Sequence, residues 1–92
     1  MITQDNFKEV LNKLGFTESK NIYTKKFSEF NTELKVDFIN EKLIYPEKDG
    51  LIISQKQTCN FSDNENFVVF ECVTRLLNQG YNPKHIELEQ TY

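Results

Sequence analysis

Residues 62–80, SDNENFVVFECVTRLLNQG, carry a helix with both of its ends marked. Ser62-Asp63-Asn64-Glu65 has the spacing of a capping box, in which the Ser hydroxyl and the Glu carboxylate bind backbone N–H groups that the helix leaves free. Asp63 and Glu65 also suit the positive end of the helix dipole. Val69, Cys72, Val73 and Leu76 form one stripe, widened by Phe70 and Leu77. Arg75 near the C-terminal end and Gly80 beyond it complete the pattern. A turn at Asn82-Pro83 follows, and then a strand-like run, Ile86-Glu87-Leu88-Glu89.

A shorter helix comes first. Thr3 is its expected N-cap, with Ile2 and Phe7 at hydrophobic-staple spacing. Phe7, Val10, Leu11 and Leu14 fall on one face, Gly15 is the natural residue after the helix, and Phe16 can fold back on its end. The middle third reads as strands. Residues 22–27 are rich in β-formers. Leu34, Val36 and Phe38 alternate with Glu33, Lys35 and Asp37, which marks a strand with one wet face. Asn40-Glu41 turns the chain into residues 42–45, giving a hairpin that Pro46 ends. Residues 47–50 form a turn, Leu51-Ile52-Ile53 is a fourth strand, and residues 54–60 are a polar loop. The expected order is helix, a meander of about four strands, helix, and the start of a strand. This is an α+β arrangement in one domain spanning residues 1–92. Eight Phe and four Tyr can fill a core of this size, because each ring buries a large area.

Composition excludes several functions. The net charge is −3, and Lys25-Lys26 is the only basic doublet, which argues against a free-standing nucleic-acid binder. No stretch approaches the roughly 20 apolar residues that span a bilayer, and the N-terminus lacks the pattern of a signal peptide. Two cysteines, Cys59 and Cys72, do not make a disulfide framework, so the expected compartment is a reducing cytoplasm. Cys72 reads as a small buried hydrophobe.

Candidate chemistry is sparse. The single histidine, His85, lies in a turn and reads as a surface residue. Cys59, Cys72 and His85 match no zinc-ligand spacing, and the glycines at 15, 50 and 80 form no phosphate loop. Two arrangements loosely mimic the strand carboxylates and Lys of PD-(D/E)xK nucleases, which hold Mg²⁺ and orient water. They are Asp49 with Gln55-Lys56-Gln57, and Asp37 with Glu41-Lys42. Both read better as solvated turn charges. Glu71 and Arg75, spaced i, i+4, read as a helix-surface ion pair.

Read together, ENFVVFECVTRLLNQGYNPKHIELEQTY at 65–92, VDFINEKLIYPEKDG at 36–50 and NFSDNENF at 60–67 resemble the N-terminal region of bacterial restriction-modification polypeptides. In these type I-like systems a nuclease-like region and an adenine-specific DNA methyltransferase region share one chain or one complex. The resemblance covers about the last two thirds of the chain and rests on a long run of similar order rather than on a catalytic motif. It implies that residues 1–92 are the N-terminal domain of a larger enzyme, non-catalytic alone, whose task is subunit docking or positioning at the DNA site. It also implies that S-adenosylmethionine and Mg²⁺ belong to the parent. Glu71 is then an auxiliary carboxylate of the nuclease site, with Glu87 or Glu89 lining it. The catalytic aspartate and Glu-x-Lys strands are expected beyond residue 92. The implied partners are other domains or subunits of that complex, and DNA through the parent. The alternative is a self-contained cytoplasmic protein-interaction module, in which the final strand is an edge that could pair in a homodimer.

Overall fold

The computed structural model describes residues 2–53 and 59–88. Its elements are α1 (Phe7–Lys13), β1 (Thr17–Ser19), β2 (Ile22–Phe27), β3 (Thr32–Asp37), β4 (Lys42–Ile44), β5 (Ile52–Ile53), α2 (Asn64–Asn78) and β6 (Glu87–Leu88). The chain is therefore α+β, with an antiparallel sheet in the order β1-β2-β3-β4 and a separate two-stranded ladder of β5 and β6.

Local sequence explains most element boundaries. Lys20 and Asn21 both have positive φ, at 52° and 67°, and join β1 to β2 where Ser19 pairs with Ile22. Two successive left-handed residues make the type I′ turn that matches strand twist. Asn31 and Glu41, at φ 51° and 53°, close the β2–β3 and β3–β4 loops. The expected Asn40-Glu41 turn is thus present. Asp37 holds this loop, since its carboxylate accepts the backbone N–H groups of Ile39 and Asn40 and the side-chain amide of Asn40.

One face of the sheet is apolar. Tyr23 and Phe27 of β2, Leu34 and Val36 of β3, Leu43 of β4 and Tyr45 just beyond it are all buried. Register puts Thr24, Lys35 and Ile44 side by side on the opposite, wetter face. The two helices belong to the apolar layer. Phe7 of α1 is the hub, with its ring 4.6 Å from Phe67 and 6.0 Å from Phe70 of α2. Phe61 and Phe38 complete the cluster around it, at 6.4 Å and 6.1 Å.

Both helices end by the same device. The N–H of Phe16 reaches the carbonyl of Leu11, and the N–H of Tyr81 reaches that of Leu76, in each case enclosing a second bond from the preceding glycine. Gly80 adopts φ +93°, a left-handed conformation that other residues tolerate poorly.

Several expectations are corrected. The chain at Thr3 forms a turn, not a helix start. Its N–H is bound by the Asn6 side chain at 2.8 Å, and α1 begins at Phe7. The N-cap of α2 is Asp63, whose carboxylate accepts the Glu65 N–H at 2.9 Å, while Ser62 donates to Asn60. The buried stripe of α2 runs through Phe67, Phe70, Val73, Thr74 and Leu77. That is a rotation from the expected stripe, which leaves Val69 and Leu76 partly buried and Cys72 exposed. The fourth strand of the meander is β1, not Leu51-Ile52-Ile53. After buried Pro46 a 3₁₀ turn at Glu47–Asp49 leads the chain off the sheet, and β5 pairs in parallel with β6 instead. Residues 54–58 and 89–92, which include part of the expected loop and Glu89, lie outside the described residues.

Candidate functional site

Glu71 is on α2, and its neighbour one turn on decides its state. The Arg75 guanidinium meets one oxygen of the Glu71 carboxylate through two nitrogens, at 2.9 Å and 3.1 Å. Glu71 is the more covered partner, with 19% of its side chain exposed against 62% for Arg75. The ion pair expected from the i, i+4 spacing is therefore formed. Glu87 is exposed on β6, in register with Ile52.

The described residues contain no group of three or more His, Cys, Asp or Glu placed to hold a metal ion. The donor set around Glu71 does not fit Mg²⁺, because its nearest charged partner is a cation. The other sequence candidates are engaged in holding turns. Asp49 accepts the hydroxyl hydrogen bond of Thr32 at 2.6 Å, which ties the 3₁₀ turn to the start of β3. Its proposed companions Gln55, Lys56 and Gln57 lie outside the described residues. Asp37 serves its own loop, and Glu41 accepts a hydrogen bond from Gln4 at 3.1 Å. The two hydrogen bonds from Asn40 hold the Asp37 carboxyl below its ordinary value of 3.8 against the opposing effect of desolvation, with lesser help from the Ile39 amide and nearby Lys42. His85 is exposed in a 3₁₀ turn at Pro83–His85, as its turn context suggests.

One group has no counterpart in the sequence reading. The Tyr45 hydroxyl is buried without a hydrogen-bond partner among the described residues. Burial, followed by the nearby thiols of Cys59 and Cys72, pushes its pKa far up. The strand periodicity of residues 42–45 places Tyr45 on the inner face with Leu43. Whether its hydroxyl finds an acceptor depends on what α2 and residue 59 place above it.

Two surface concavities lie at the end of the sheet formed by the β2–β3 loop and the two 3₁₀ turns. One is lined by Lys26, Asn31, Thr32, Glu33, Lys48 and Asp49, and another by Phe30, Lys48, Asp49, Asn82 and Lys84. Sequence reasoning misses this grouping because its residues come from three separate turns. No helix among the described residues is long and apolar enough to cross a membrane. Comparison with protein-family models, curated proteins and solved structures returned no match.

Proposed function

We propose that this chain is the N-terminal domain of a bacterial restriction-modification enzyme, non-catalytic alone, that docks against its partner regions and positions them at DNA in the cytoplasm. The parent would carry adenine-specific methyl transfer, restriction cleavage or both, with S-adenosylmethionine and Mg²⁺ bound outside the residues described here. The observation that supports this reading is the run from α2 through β6. A helix bearing Glu71 passes through a short turn directly into a strand, the order that the family resemblance implies. This strand lies parallel to β5, so β5, α2 and β6 form a β-α-β unit, the building block of larger parallel sheets.

One observation is equally compatible with a second reading. Ile86 and Leu88 are both about 6% exposed and belong to the domain's own core. A strand buried in this way suits a self-contained interaction module as well as the first strand of a following region.

The coding sequence around the gene separates the two. The first reading expects a Gly/Arg-Ala-Asp-Ile-type strand and a Glu-x-Lys strand, with a methyltransferase region in the same or an adjacent reading frame. Their absence from both overturns it. An assay adds to this test. The 92-residue chain should neither methylate nor cleave DNA when supplied with S-adenosylmethionine and Mg²⁺, and turnover by the chain alone would sink the proposal.

A further inference from the structure

The Tyr45 hydroxyl is a donor with nothing to donate to. Tyr45 is 5% exposed, its oxygen is sealed from solvent, and no hydrogen-bond partner meets it among the described residues. Burial, then the Cys59 thiol, then that of Cys72, push the pKa of the phenol far up, so the hydroxyl keeps its proton. A thiol sulfur accepts hydrogen bonds only weakly, so neither cysteine meets the need in its reduced form. Leaving such a group buried without a partner is costly, and a fold that keeps one holds a place for an acceptor.

The two thiols approach from different elements. The Tyr45 ring lies 5.3 Å from that of Phe70, two residues before Cys72 on α2, and Cys72 itself is exposed. Cys59 is half-buried and packs against the core. The residue after Cys59 holds it in place. Asn60 bridges to Lys42 of β4, the strand that leads to Tyr45. The Asn60 carbonyl accepts the side-chain amide of Asn66, a buried residue of α2, at 3.0 Å, and the Asn60 side chain accepts the Ser62 N–H at 2.9 Å. Cys59 is thus anchored between the edge of β4 and the start of α2. An oxygen carried by exposed Cys72 would be met by water, whereas one carried by sheltered Cys59 has the Tyr45 hydroxyl to meet it.

We propose that Cys59 is a site of reversible oxidation by hydrogen peroxide, and that the oxygen of its sulfenic acid accepts the hydrogen bond of the Tyr45 hydroxyl. The Cys59 sulfur, as thiolate, attacks one peroxide oxygen. An S–O bond forms as the O–O bond breaks, and the departing hydroxide leaves as water with the thiol's proton. The sulfur gives up two electrons and the peroxide takes them. An added dithiol reverses the change. Its first thiol displaces the sulfenic oxygen as water to form a mixed disulfide, and its second thiol opens that disulfide and restores Cys59. The site is independent of the docking reading and stands or falls apart from it.

The test treats the 92-residue chain carrying Cys72→Ala, in which no internal disulfide can form, with a brief pulse of hydrogen peroxide. Trapping with dimedone, a carbon nucleophile selective for sulfenic acids, should label Cys59 in mass spectra, and Cys59→Ala should remove the label. The hydrogen bond should slow the loss of the sulfenic acid to an added thiol. Adding Tyr45→Phe should therefore make that loss roughly fivefold faster, the factor that corresponds to a hydrogen bond of ordinary net strength. Melting curves give a second readout. Oxidation should raise the melting temperature of the chain that keeps Tyr45 and should not raise that of the Tyr45→Phe chain. The same curves show that both chains are folded. No dimedone adduct at Cys59, equal rates of loss with and without the Tyr45 hydroxyl, or the same melting shift in both chains overturns the proposal.

Discussion

The rings of Phe7 and Phe67 lie 4.6 Å apart, and this contact locks the first helix to the second over the inner face of the sheet. Both residues are fully buried, and Phe7 also meets Phe38, Phe61 and Phe70. Phe7→Ala should cost about 3–5 kcal/mol, a large share of the stability of a domain this small. Urea denaturation checks this. The midpoint should fall sharply with little change in slope, or the variant should be unfolded from the start. A loss under about 1 kcal/mol would mean that the hub is elsewhere.

The two candidate caps of α2 make opposite predictions. Asp63→Ala should cost about 1 kcal/mol, since it leaves the Glu65 N–H without its acceptor. Ser62→Ala should cost clearly less, because among the described residues Ser62 bonds to Asn60, outside the helix. Equal losses in thermal melts would restore Ser62 as a cap.

Tyr45→Phe should stabilise the domain. It removes a buried hydroxyl that has no partner among the described residues, and such groups carry an unmet desolvation cost of about 1–3 kcal/mol. A rise of a few degrees in melting temperature is expected for a chain of this length. The titration sign follows from the same burial. Because burial raises the folded pKa, ionisation leaves stability unchanged below the unfolded value, near 10, and lowers it as pH rises above that. Ultraviolet titration should find Tyr45 ionising only as the fold opens. A drop in melting temperature for Tyr45→Phe would reveal an acceptor.

Asp37 has the opposite sign. Its folded carboxyl is held below the ordinary value, so its contribution is present above about pH 4 and is lost as pH falls through the lower folded value. Asp37→Ala removes both the charge and the loop hydrogen bonds. Stability curves for wild type and variant should therefore converge on acidification below about pH 4. Curves that stay parallel throughout that range would remove Asp37 from the acid response.

Exposed Cys72 should react with iodoacetamide in the native state faster than half-buried Cys59, which should lag behind it until the chain is unfolded. Mass spectrometry after brief labelling reads the difference. Faster labelling at Cys59 would reverse the assignment of exposure.

Much of this architecture is legible in the chain itself. Two helices, the β2–β3–β4 meander and the α+β class follow from apolar periodicity. Gly15 and Gly80 stand where left-handed residues are needed to end each helix. The Glu71–Arg75 pair also follows from local spacing, because a helix places residues four apart side by side whatever surrounds it. β1 is illegible for a physical reason. Its three residues are polar and all exposed, so no burial pattern announces it, and pairing with β2 alone makes it a strand.

What only the tertiary structure decided is everything that depends on a neighbour distant in sequence. Apolar residues surround enough of α2 that more than one stripe could be drawn. The aromatic cluster around Phe7 selects the face through Phe67, Phe70 and Leu77 and turns Cys72 outward. Ile52-Ile53 could have joined the meander by propensity. The 3₁₀ turn after Pro46 takes it off the sheet, and it meets a strand that the chain supplies only after α2. The cluster of Lys48, Lys84 and Phe30 is likewise assembled from three turns. By itself the sequence determined the elements whose hydrogen bonds and apolar faces repeat locally. Tertiary packing decided which faces are buried and which turns meet, because burial is settled by the whole set of surfaces competing for one core.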